Sequence, residues 1–190
     1  MIRVYDFDKT LTYDDTTMMF LFYCCNTLKQ RNIKKLLIVI FAVFHKLRVL
    51  SNSKFKSLSY GLVFKGKKKQ AIVDMSKAFV EENSDIFNLL GQRVRTNLEK
   101  QDYIVTASPE FYVQMYFSNM IVIGTTFRFD ADEVFNGLKV NCYGKSKVIA
   151  LKKAGVSGID EFFTDSFSDM PVMKISKSVF LVKRDVIRKL

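Results

Sequence analysis

Three short apolar segments, each rich in β-branched or aromatic residues and separated by helical sequence, end at polar residues. These polar residues are Asp6, Thr106 and Asp165. Strands that alternate with helices along a chain favour a mostly parallel sheet covered by helices. Sites in such sheets lie beyond the carboxyl ends of the strands, so one fold would bring the three side chains together. We therefore predict an α/β protein with a mostly parallel, covered sheet.

The first segment ends at two carboxylates, Asp6 and Asp8, rather than one. Residues two apart at the end of a strand point to the same side, so these carboxylates lie close together. Two like charges at that spacing resist ionisation of both groups unless a cation or a shared proton relieves them. The pair therefore suggests a magnesium site in which one carboxylate attacks and the other shuttles protons.

Helices and further strands are predicted along the rest of the chain. Periodicity and capping residues favour six helices, at about residues 15–26, 33–47, 67–82, 86–100, 109–118 and 145–154. Additional strands are predicted at residues 120–123 and 178–182, the second being the last of the chain. The Asn-Gly pair at positions 136–137 favours a tight turn, and we predict a hairpin in which it joins residues 127–129 to residues 138–142.

The net charge of +11 is concentrated in one segment. Between Thr16 and Val73 the sequence has twelve Lys or Arg residues and no Asp or Glu. Such segregation indicates a separate module that faces an anionic partner. We predict that residues 15–74 form this inserted module and that residues 1–14 and 75–190 form the core.

Membrane spanning and secretion are both disfavoured. The longest unbroken apolar run, residues 36–44, would make a helix of about 14 Å, under half the thickness of a bilayer core. The start of the chain lacks the cleavage site of a secretory signal. Adjacent Cys24 and Cys25, with Cys142, fit neither a disulfide nor a metal-binding spacing. We expect a reduced, cytoplasmic protein.

Four sequence blocks carry a resemblance to a known family. They are residues 6–12 (DFDKTLT), 104–108 (IVTAS), 144–148 (GKSKV) and 164–171 (TDSFSDMP). In this order they resemble the haloacid-dehalogenase (HAD) superfamily, over nearly the whole chain. The long gap between the first two blocks looks like the helical-cap branch that includes phosphoserine phosphatase. The resemblance implies a Rossmann-like sheet with helices on both faces and an inserted α-helical cap.

The resemblance also implies an activity, that of a phosphomonoester hydrolase working through an aspartyl-phosphate. Asp6 would attack phosphorus, and Asp8 would act as the general acid and then the general base. Thr106 would donate a hydrogen bond to the phosphoryl oxygens. Lys147 would neutralise charge on the phosphoryl group and the nucleophile, with Lys145 as the alternative for that role.

The metal implied by the resemblance is Mg²⁺, a hard cation that prefers oxygen ligands. Its ligands would be Asp6, Asp165 and the backbone carbonyl of Asp8. Asp169 would support this metal site without coordinating the ion directly.

Two side chains are candidates for substrate contact, and each also has a simpler interpretation. The family pattern places a substrate-facing acid near Asp15, but Asp15 or Asp14 would also be an ordinary helix N-cap. Ser108 would face the phosphate, or would only mark the start of the helix that follows Pro109. Both interpretations of Asp15 and Ser108 stay open at this point.

The cap indicates the class of substrate. Its apolar helix and the Thr-Ala-Ser-Pro second block make the chain similar to HAD-type phosphatidylglycerophosphate phosphatases of bacteria. Its arginines, Arg31 and Arg48, lie outside residues 55–66, where phosphoserine phosphatases usually carry a carboxylate-binding arginine. A membrane lipid phosphate is therefore favoured over phosphoserine. The alternatives are a soluble sugar phosphate or phosphoamino acid, transfer to an alcohol instead of water, or a non-catalytic basic binding module on the same scaffold.

Residues 33–50 combine a thick apolar block with basic residues at both ends, which suits an anionic membrane surface. A solvated basic face is the simpler interpretation. A continuous exposed apolar strip on the cap would favour lipid, whereas apolar side chains packed inside would favour a soluble substrate. Nothing resembles a nucleic-acid reading motif. The sequence thus predicts a cytoplasmic protein that can lie at the inner membrane face, and it leaves the oligomeric state open.

Overall fold

The computed structural model of the chain describes residues 1–96 and 102–190. Within these residues the strands are β1 (Arg3–Tyr5), β2 (Asp102–Pro109), β3 (Ile121–Phe129), β4 (Phe135–Val140), β5 (Ile159–Thr164), β6 (Ser176–Lys183) and β7 (Val186–Lys189). The helices are α1 (Thr16–Asn26), α2 (Arg31–Lys46), α3 (Asn52–Phe64), α4 (Lys69–Glu82), α5 (Leu89–Thr96), α6 (Glu110–Tyr116), α7 (Lys145–Lys153) and α8 (Met170–Met173).

The strands form one sheet in the order β4-β3-β2-β1-β5-β6-β7. The five central strands, β3, β2, β1, β5 and β6, are all parallel to one another. The edge strands β4 and β7 are antiparallel to their neighbours. Strand β1 lies in the middle, with β2 and β3 added on one side and β5 and β6 on the other. An open α/β sheet has its crevice where the strand order reverses, so the ends of β1, β2 and β5 flank the expected site. The predicted α/β fold is confirmed.

Both faces of the sheet are covered, which explains why its central strands are almost entirely apolar. Tyr5 and Ile104 belong to a core cluster with residues of α1 to α6. Their neighbours Val4 and Val105 belong to a second cluster with residues of α7 and α8. Because successive residues of a strand point to opposite faces, the two clusters lie on opposite sides of the sheet.

Helices α1 to α5 are inserted between β1 and β2, and α3 packs on the β3–β4 hairpin. The rings of Tyr60 and Phe127 lie 4.9 Å apart, and those of Phe64 and Phe135 lie 5.8 Å apart. The start of α4 is hydrogen-bonded to the same hairpin, because the N–H of Lys69 donates to the carbonyl of Glu133 at 2.8 Å. The predicted boundary between residues 74 and 75 falls inside α4.

The β3–β4 hairpin turns at a different place from the predicted one. Strand β3 runs on to Phe129 and β4 starts at Phe135, so the Asn-Gly pair lies inside β4. The turn is closed instead by Asp130, whose Oδ1 accepts the N–H groups of Asp132 at 3.0 Å and Val134 at 2.9 Å. The prediction was wrong because a side chain that accepts backbone N–H groups can set a turn without an Asn-Gly pair.

Three further elements differ from the sequence-based expectation. Helix α3 was not predicted, because its buried side chains include Lys56 and Ser59 as well as aromatic residues, and this mixture hides the apolar periodicity. Strand β7 follows β6, so the strand at residues 178–182 is not the last. The predicted helix at residues 86–100 corresponds to α5, and residues 97–100 lie outside the described part of the chain.

Candidate active site

The chain turns sharply after β1 and leaves Asp6 at the carboxyl edge of the sheet. The N–H of Asp6 donates to the carbonyl of Phe163 at 2.9 Å, which extends the pairing of β1 with β5 by one residue. Lys9 then adopts a positive φ of 58°, a left-handed conformation that reverses the chain direction. The hydroxyl of Thr10 donates back to Oδ2 of Asp6 at 3.3 Å. One oxygen of Asp6 is thereby held by its own turn.

The other oxygen of Asp6 is held by Lys147, in the first turn of α7. Nζ of this buried lysine lies 2.7 Å from Oδ1 of Asp6 and 2.8 Å from Oδ2 of Asp169. Burial alone would lower the pKa of Lys147, but the charges of the two carboxylates raise it well above its usual value. Lys145, the alternative from sequence, is exposed on the same helix. Lys147 is therefore the lysine that pairs with Asp6.

The acidic groups outnumber the cations at this edge of the sheet. Burial, and then the charges of Asp6 and Asp169, raise the pKa of Asp165 to about 7. Burial and the charge of Asp6 likewise raise the pKa of Asp169. Asp169 accepts from Lys147 and from Thr164 through Oδ2, whereas its buried Oδ1 has no hydrogen-bond partner among the described residues. Three carboxylates lie near Lys147 and Lys9, so negative groups remain in excess and favour a further positive charge.

The donor set fits Mg²⁺ better than a metal that needs a complete protein cage. Across residues 1–96 and 102–190, no three acidic, histidine or cysteine side chains form a ready-made metal site. Mg²⁺ is commonly held by one or two carboxylates together with water and substrate oxygens. Asp6 and Asp165 line the same pocket and supply two such carboxylates.

Asp8 is turned toward the start of α1. Its Oδ1 accepts the backbone N–H of Thr16 at 2.7 Å and the hydroxyl of Thr16 at 2.6 Å. Its Oδ2 accepts the hydroxyl of Ser108. Burial and the neighbouring charge of Asp15 raise the pKa of Asp8 to about 7, against the lowering effect of these hydrogen bonds. A carboxyl group with such a pKa can both give and take a proton near neutral pH.

Thr106 and Ser108 lie behind Asp8. Both are fully buried, and neither lines the pocket. The hydroxyl of Thr106 accepts the N–H of Ser108 at 2.9 Å. The hydroxyl of Ser108 lies 2.6 Å from that of Thr17 on α1. The structure thus places Ser108 in contact with Asp8. Ala107, which lies between Thr106 and Ser108 in the sequence, faces the pocket.

The pocket has a volume of about 230 Å³ and lies between the sheet edge and the inserted helices. The core side contributes Asp6, Asp8, Lys147, Asp165 and Asp169, and the helical side contributes Asp15, Thr17, His45, Asn52, Phe55 and Lys56. Asp15 serves as the N-cap of α1, since its Oδ1 accepts the N–H of Met18 at 3.2 Å, and it also faces the pocket. The two interpretations of Asp15 are therefore compatible.

Lys56 is a pocket residue that the sequence interpretation missed, because it was counted only as one of the twelve basic residues. Its side chain is buried, and its Nζ donates to the carbonyl of Ala107 at the end of β2. Burial lowers its pKa to about 8, partly offset by the charges of Asp8 and Asp15. A signal did exist, because Lys56 shares the buried face of α3 with Tyr60 and Val63.

Solved structures with the same fold include a protein of unknown function from Bordetella pertussis Tohama I, with a TM-score of 0.74 and 14% identity over 91% of this chain and 85% of that one. A phosphoserine phosphohydrolase-like protein from Francisella tularensis subsp. tularensis SCHU S4 has a TM-score of 0.64 and 15% identity over 94% and 85% of the two chains. A substrate-bound phosphoserine phosphatase complex has a TM-score of 0.61 and 8% identity over 94% and 83%. At these identities the likeness is one of fold.

Sequence comparison gives a family rather than a close relative. No curated protein matches the chain significantly. The model of haloacid dehalogenase-like hydrolases matches residues 4–174, a span that includes all four sequence blocks. As those blocks predicted, the chain belongs to the haloacid dehalogenase-like hydrolase family.

Proposed function

We propose that this protein is a magnesium-dependent phosphomonoester hydrolase that forms an aspartyl-phosphate on Asp6. The observation that carries the proposal is the ion-paired chain Asp6–Lys147–Asp169 beside a pocket that also holds Asp8. Family membership makes the protein a hydrolase, and its fold neighbours include a substrate-bound phosphoserine phosphatase and a phospho-aspartyl intermediate analogue of that enzyme.

In the first step Asp6 attacks phosphorus with a carboxylate oxygen. Lys147 orients Asp6 through its ion pair, and Asp169 holds the lysine in place. As the new bond to phosphorus forms, the ester P–O bond breaks and its electron pair stays on the alcohol oxygen. Asp8, protonated at the start, gives its proton to that oxygen. The alcohol leaves and the phosphoryl group stays on Asp6.

In the second step Asp8, now ionised, removes a proton from water. The resulting hydroxide oxygen bonds to phosphorus, the bond between phosphorus and Asp6 breaks, and inorganic phosphate leaves. Asp8 is again protonated and Asp6 is again a carboxylate. Ser108 positions Asp8 through their hydrogen bond, and the Thr106 hydroxyl holds Ser108 by accepting its N–H at 2.9 Å. Thr106 itself, predicted to donate to a phosphoryl oxygen, is buried and does not line the pocket.

Asp6, Asp165 and the backbone carbonyl of Asp8 would hold Mg²⁺, which supplies charge neutralisation for the phosphoryl oxygens when it is bound. The raised pKa of Asp165 supports a cation at this place. Asp169 acts by orienting Lys147 and does not bind the metal.

For the substrate we propose a membrane lipid phosphate such as phosphatidylglycerophosphate. That lipid carries a second, diester phosphate beside the scissile one, and Lys56 on the pocket wall would neutralise it. The cap also exposes a continuous apolar strip along α2, the feature that favours lipid over a soluble substrate. A soluble sugar phosphate or phosphoamino acid is the alternative. The three free, buried cysteines support a cytoplasmic location, which for a lipid substrate means the inner membrane face.

The proposal is tested with a panel of phosphomonoesters assayed with Mg²⁺ and with a chelator. The panel contains phosphoserine, sugar phosphates, and micellar phosphatidylglycerophosphate and phosphatidate. We expect Mg²⁺-dependent release of phosphate from the lipids, and loss of that release in Asp6→Asn. A strong preference for phosphoserine would overturn the lipid assignment. Absence of turnover on every substrate would favour the non-catalytic binding module.

A further inference from the structure

Helix α2 carries an apolar face that no other part of the described chain covers. Ile38 is its only buried residue, although ten of the sixteen residues of α2 are apolar. The exposed apolar residues of α2 and the segment after it are Ile33, Leu36, Val39, Ile40, Val43, Phe44, Leu47 and Val49. Those within the helix recur every three or four positions, so they form one stripe along its length. We name these eight residues the α2 stripe.

Basic residues flank both ends of the α2 stripe. Arg31, Lys34 and Lys35 lie in the first turns of α2, and Lys46 and Arg48 lie at its end. No Asp or Glu occurs between Thr16 and Val73, so the whole surrounding segment offers only positive charge. An apolar face bordered by cations fits a surface that has apolar chains beneath anionic groups.

The α2 stripe reaches the rim of the active-site pocket. His45 and Asn52 line the pocket, whereas Phe44 and Leu47, on either side of His45, are exposed in the stripe. The ring of His45 stacks on Phe55 with centroids 5.5 Å apart, and its Nδ1 lies 3.0 Å from the carbonyl of Leu50. The end of α2 is therefore fixed against the pocket wall.

We propose that the α2 stripe docks on the surface of an anionic bilayer and brings the mouth of the pocket to the lipid headgroups. The stripe side chains enter the boundary between headgroups and acyl chains, and the exposed flanking residues Arg31, Lys46 and Arg48 pair with lipid phosphates. The helix lies in the plane of the surface; among the described residues no helix is long and apolar enough to cross a bilayer. The link to catalysis rests on the proposed function, whereas the docking itself does not.

Charge favours a bilayer over a second copy of the chain as the occupant. Two stripes packed face to face would bring the basic ends of both helices close together in either orientation. Nothing acidic between Thr16 and Val73 is available to pair with them. Anionic lipids supply the missing counter-charge, and the same pairing makes the docking sensitive to salt.

The test is co-sedimentation of the full chain with vesicles of phosphatidylcholine, with and without phosphatidylglycerol. We expect binding to the anionic vesicles that weakens as salt is added. The double variant Leu36→Gln/Val43→Gln should bind at least about tenfold more weakly, because two side chains no longer enter the bilayer. Lys46→Gln/Arg48→Gln should weaken binding and flatten its salt dependence. All four side chains are exposed, so the fold tolerates the changes.

Matched controls change the same residue types on other surfaces. Leu89→Gln/Val186→Gln removes two exposed apolar side chains, and Lys152→Gln/Lys153→Gln removes two exposed charges from the end of α7. Both controls should bind anionic vesicles as the wild type does. Equal loss in the controls and the stripe variants would overturn the proposal, because it would show only a nonspecific effect of charge or hydrophobicity.

Turnover of a soluble phosphomonoester, p-nitrophenyl phosphate, separates the docking from the catalytic proposal. The stripe variants should keep this turnover and lose turnover of a phosphomonoester embedded in vesicles. If the wild type hydrolyses p-nitrophenyl phosphate but does not bind anionic vesicles, the docking proposal is overturned and the hydrolase proposal stands. Vesicle binding without any turnover would overturn the hydrolase and leave the docking intact.

A dimer in sedimentation velocity that dissociates in Leu36→Gln/Val43→Gln would show that the stripe is a self-association surface and overturn the proposal.

Discussion

Lys147 and Lys56 are both buried at the active-site pocket, but their surroundings shift their pKa values in opposite directions. Lys147 lies between two carboxylates, so its charge is fully paired. Lys56 donates to a neutral carbonyl and faces Asp8 and Asp15 only at longer range, so burial dominates and lowers its pKa to about 8. One lysine therefore supports the nucleophile, and the other is available to a substrate anion.

Removing the paired lysine should affect both catalysis and stability. In Lys147→Met the Asp6 carboxylate loses its partner and the phosphoryl oxygens lose a cation, so kcat should fall at least about a hundredfold. Two buried carboxylates are left unpaired, which should lower the free energy of unfolding by about 3 kcal/mol. Steady-state kinetics and chemical denaturation measure the two effects. Lys145→Met, on the exposed face of α7, is the control, and an equal loss there would contradict the assignment.

Removing Lys56, whose charge is buried against a neutral carbonyl, should instead stabilise the fold. The folded-state pKa of Lys56, about 8, lies below its ordinary value of 10.5, so the unfolded chain binds more protons between these pH values. Wild-type stability should therefore rise with pH across this window, and below it the buried ammonium is destabilising. In Lys56→Met the free-energy cost of burying the ammonium group is removed. The carbonyl of Ala107 still accepts a hydrogen bond from the hydroxyl of Thr125 at 2.6 Å.

The Tm of Lys56→Met should exceed that of the wild type at pH 7, and the difference should shrink as the pH rises from 8 toward 10. Thermal denaturation at a series of pH values measures it. The same variant should have a higher KM for a substrate with a second anionic group. A Tm below the wild-type value at pH 7 would show that the Lys56–Ala107 contact outweighs the burial of the charge.

Among the elements, the β3–β4 hairpin shows how one side chain outweighs a dipeptide signal. Gly137 has a φ of +99° inside β4, and the strand pairing shifts register nearby, so the Asn-Gly pair accommodates an irregularity in the strand. The chain reversal itself depends on Asp130. This hairpin supports the inserted helices, because Phe127 and Phe135 pack on α3.

Asp130→Ala should destabilise the protein by about 1 kcal/mol, because two backbone N–H groups lose their acceptor at an exposed turn. The change is measured as a shift of the denaturation midpoint. Asp132→Ala removes an exposed carboxylate from the same turn and should have little effect. If the two variants were equally destabilised, net charge in the loop rather than the hydrogen bonds of Asp130 would be responsible.

Over the whole molecule, the candidate active site combines parts that are distant along the chain. Asp6 follows β1, Asp165 follows β5, Asp169 ends a short 3₁₀ turn, and Lys147 comes from α7. The parallel sheet places these ends at one edge, and the inserted helices close the pocket above them. The carboxylates gathered at this edge repel one another, which destabilises the folded state, and a bound cation would relieve this repulsion.

Mg²⁺ should therefore raise the Tm of the wild type, because a ligand that binds only the folded state stabilises it. Asp165→Asn removes one ligand and one repelling charge. It should abolish the Mg²⁺-dependent rise without lowering the Tm measured in chelator. Asp14→Asn, which changes an exposed acid, should retain the full rise. A normal Mg²⁺ response in Asp165→Asn would exclude Asp165 as a ligand.

The α/β fold, the positions of most helices and strands, the family, and the segregation of positive charge into the inserted segment could all be predicted from the sequence. These features follow from local periodicity and from short blocks with a fixed order. The end of α7 shows the limit of such information: Gly155, with a φ of +83°, closes the helix as predicted, but periodicity did not show which of Lys145 and Lys147 faces Asp6.

Which side of each element is covered could be seen only after the elements were packed together. Helix α2 is apolar on almost every side, and its pattern could not show that the described part of the chain leaves its outer face uncovered. Lys56 looked like one surface charge among many until α3 was placed over the end of β2. A sequence pattern reports the side chains of one element, whereas burial depends on what lies opposite, and the opposing residues come from distant parts of the chain.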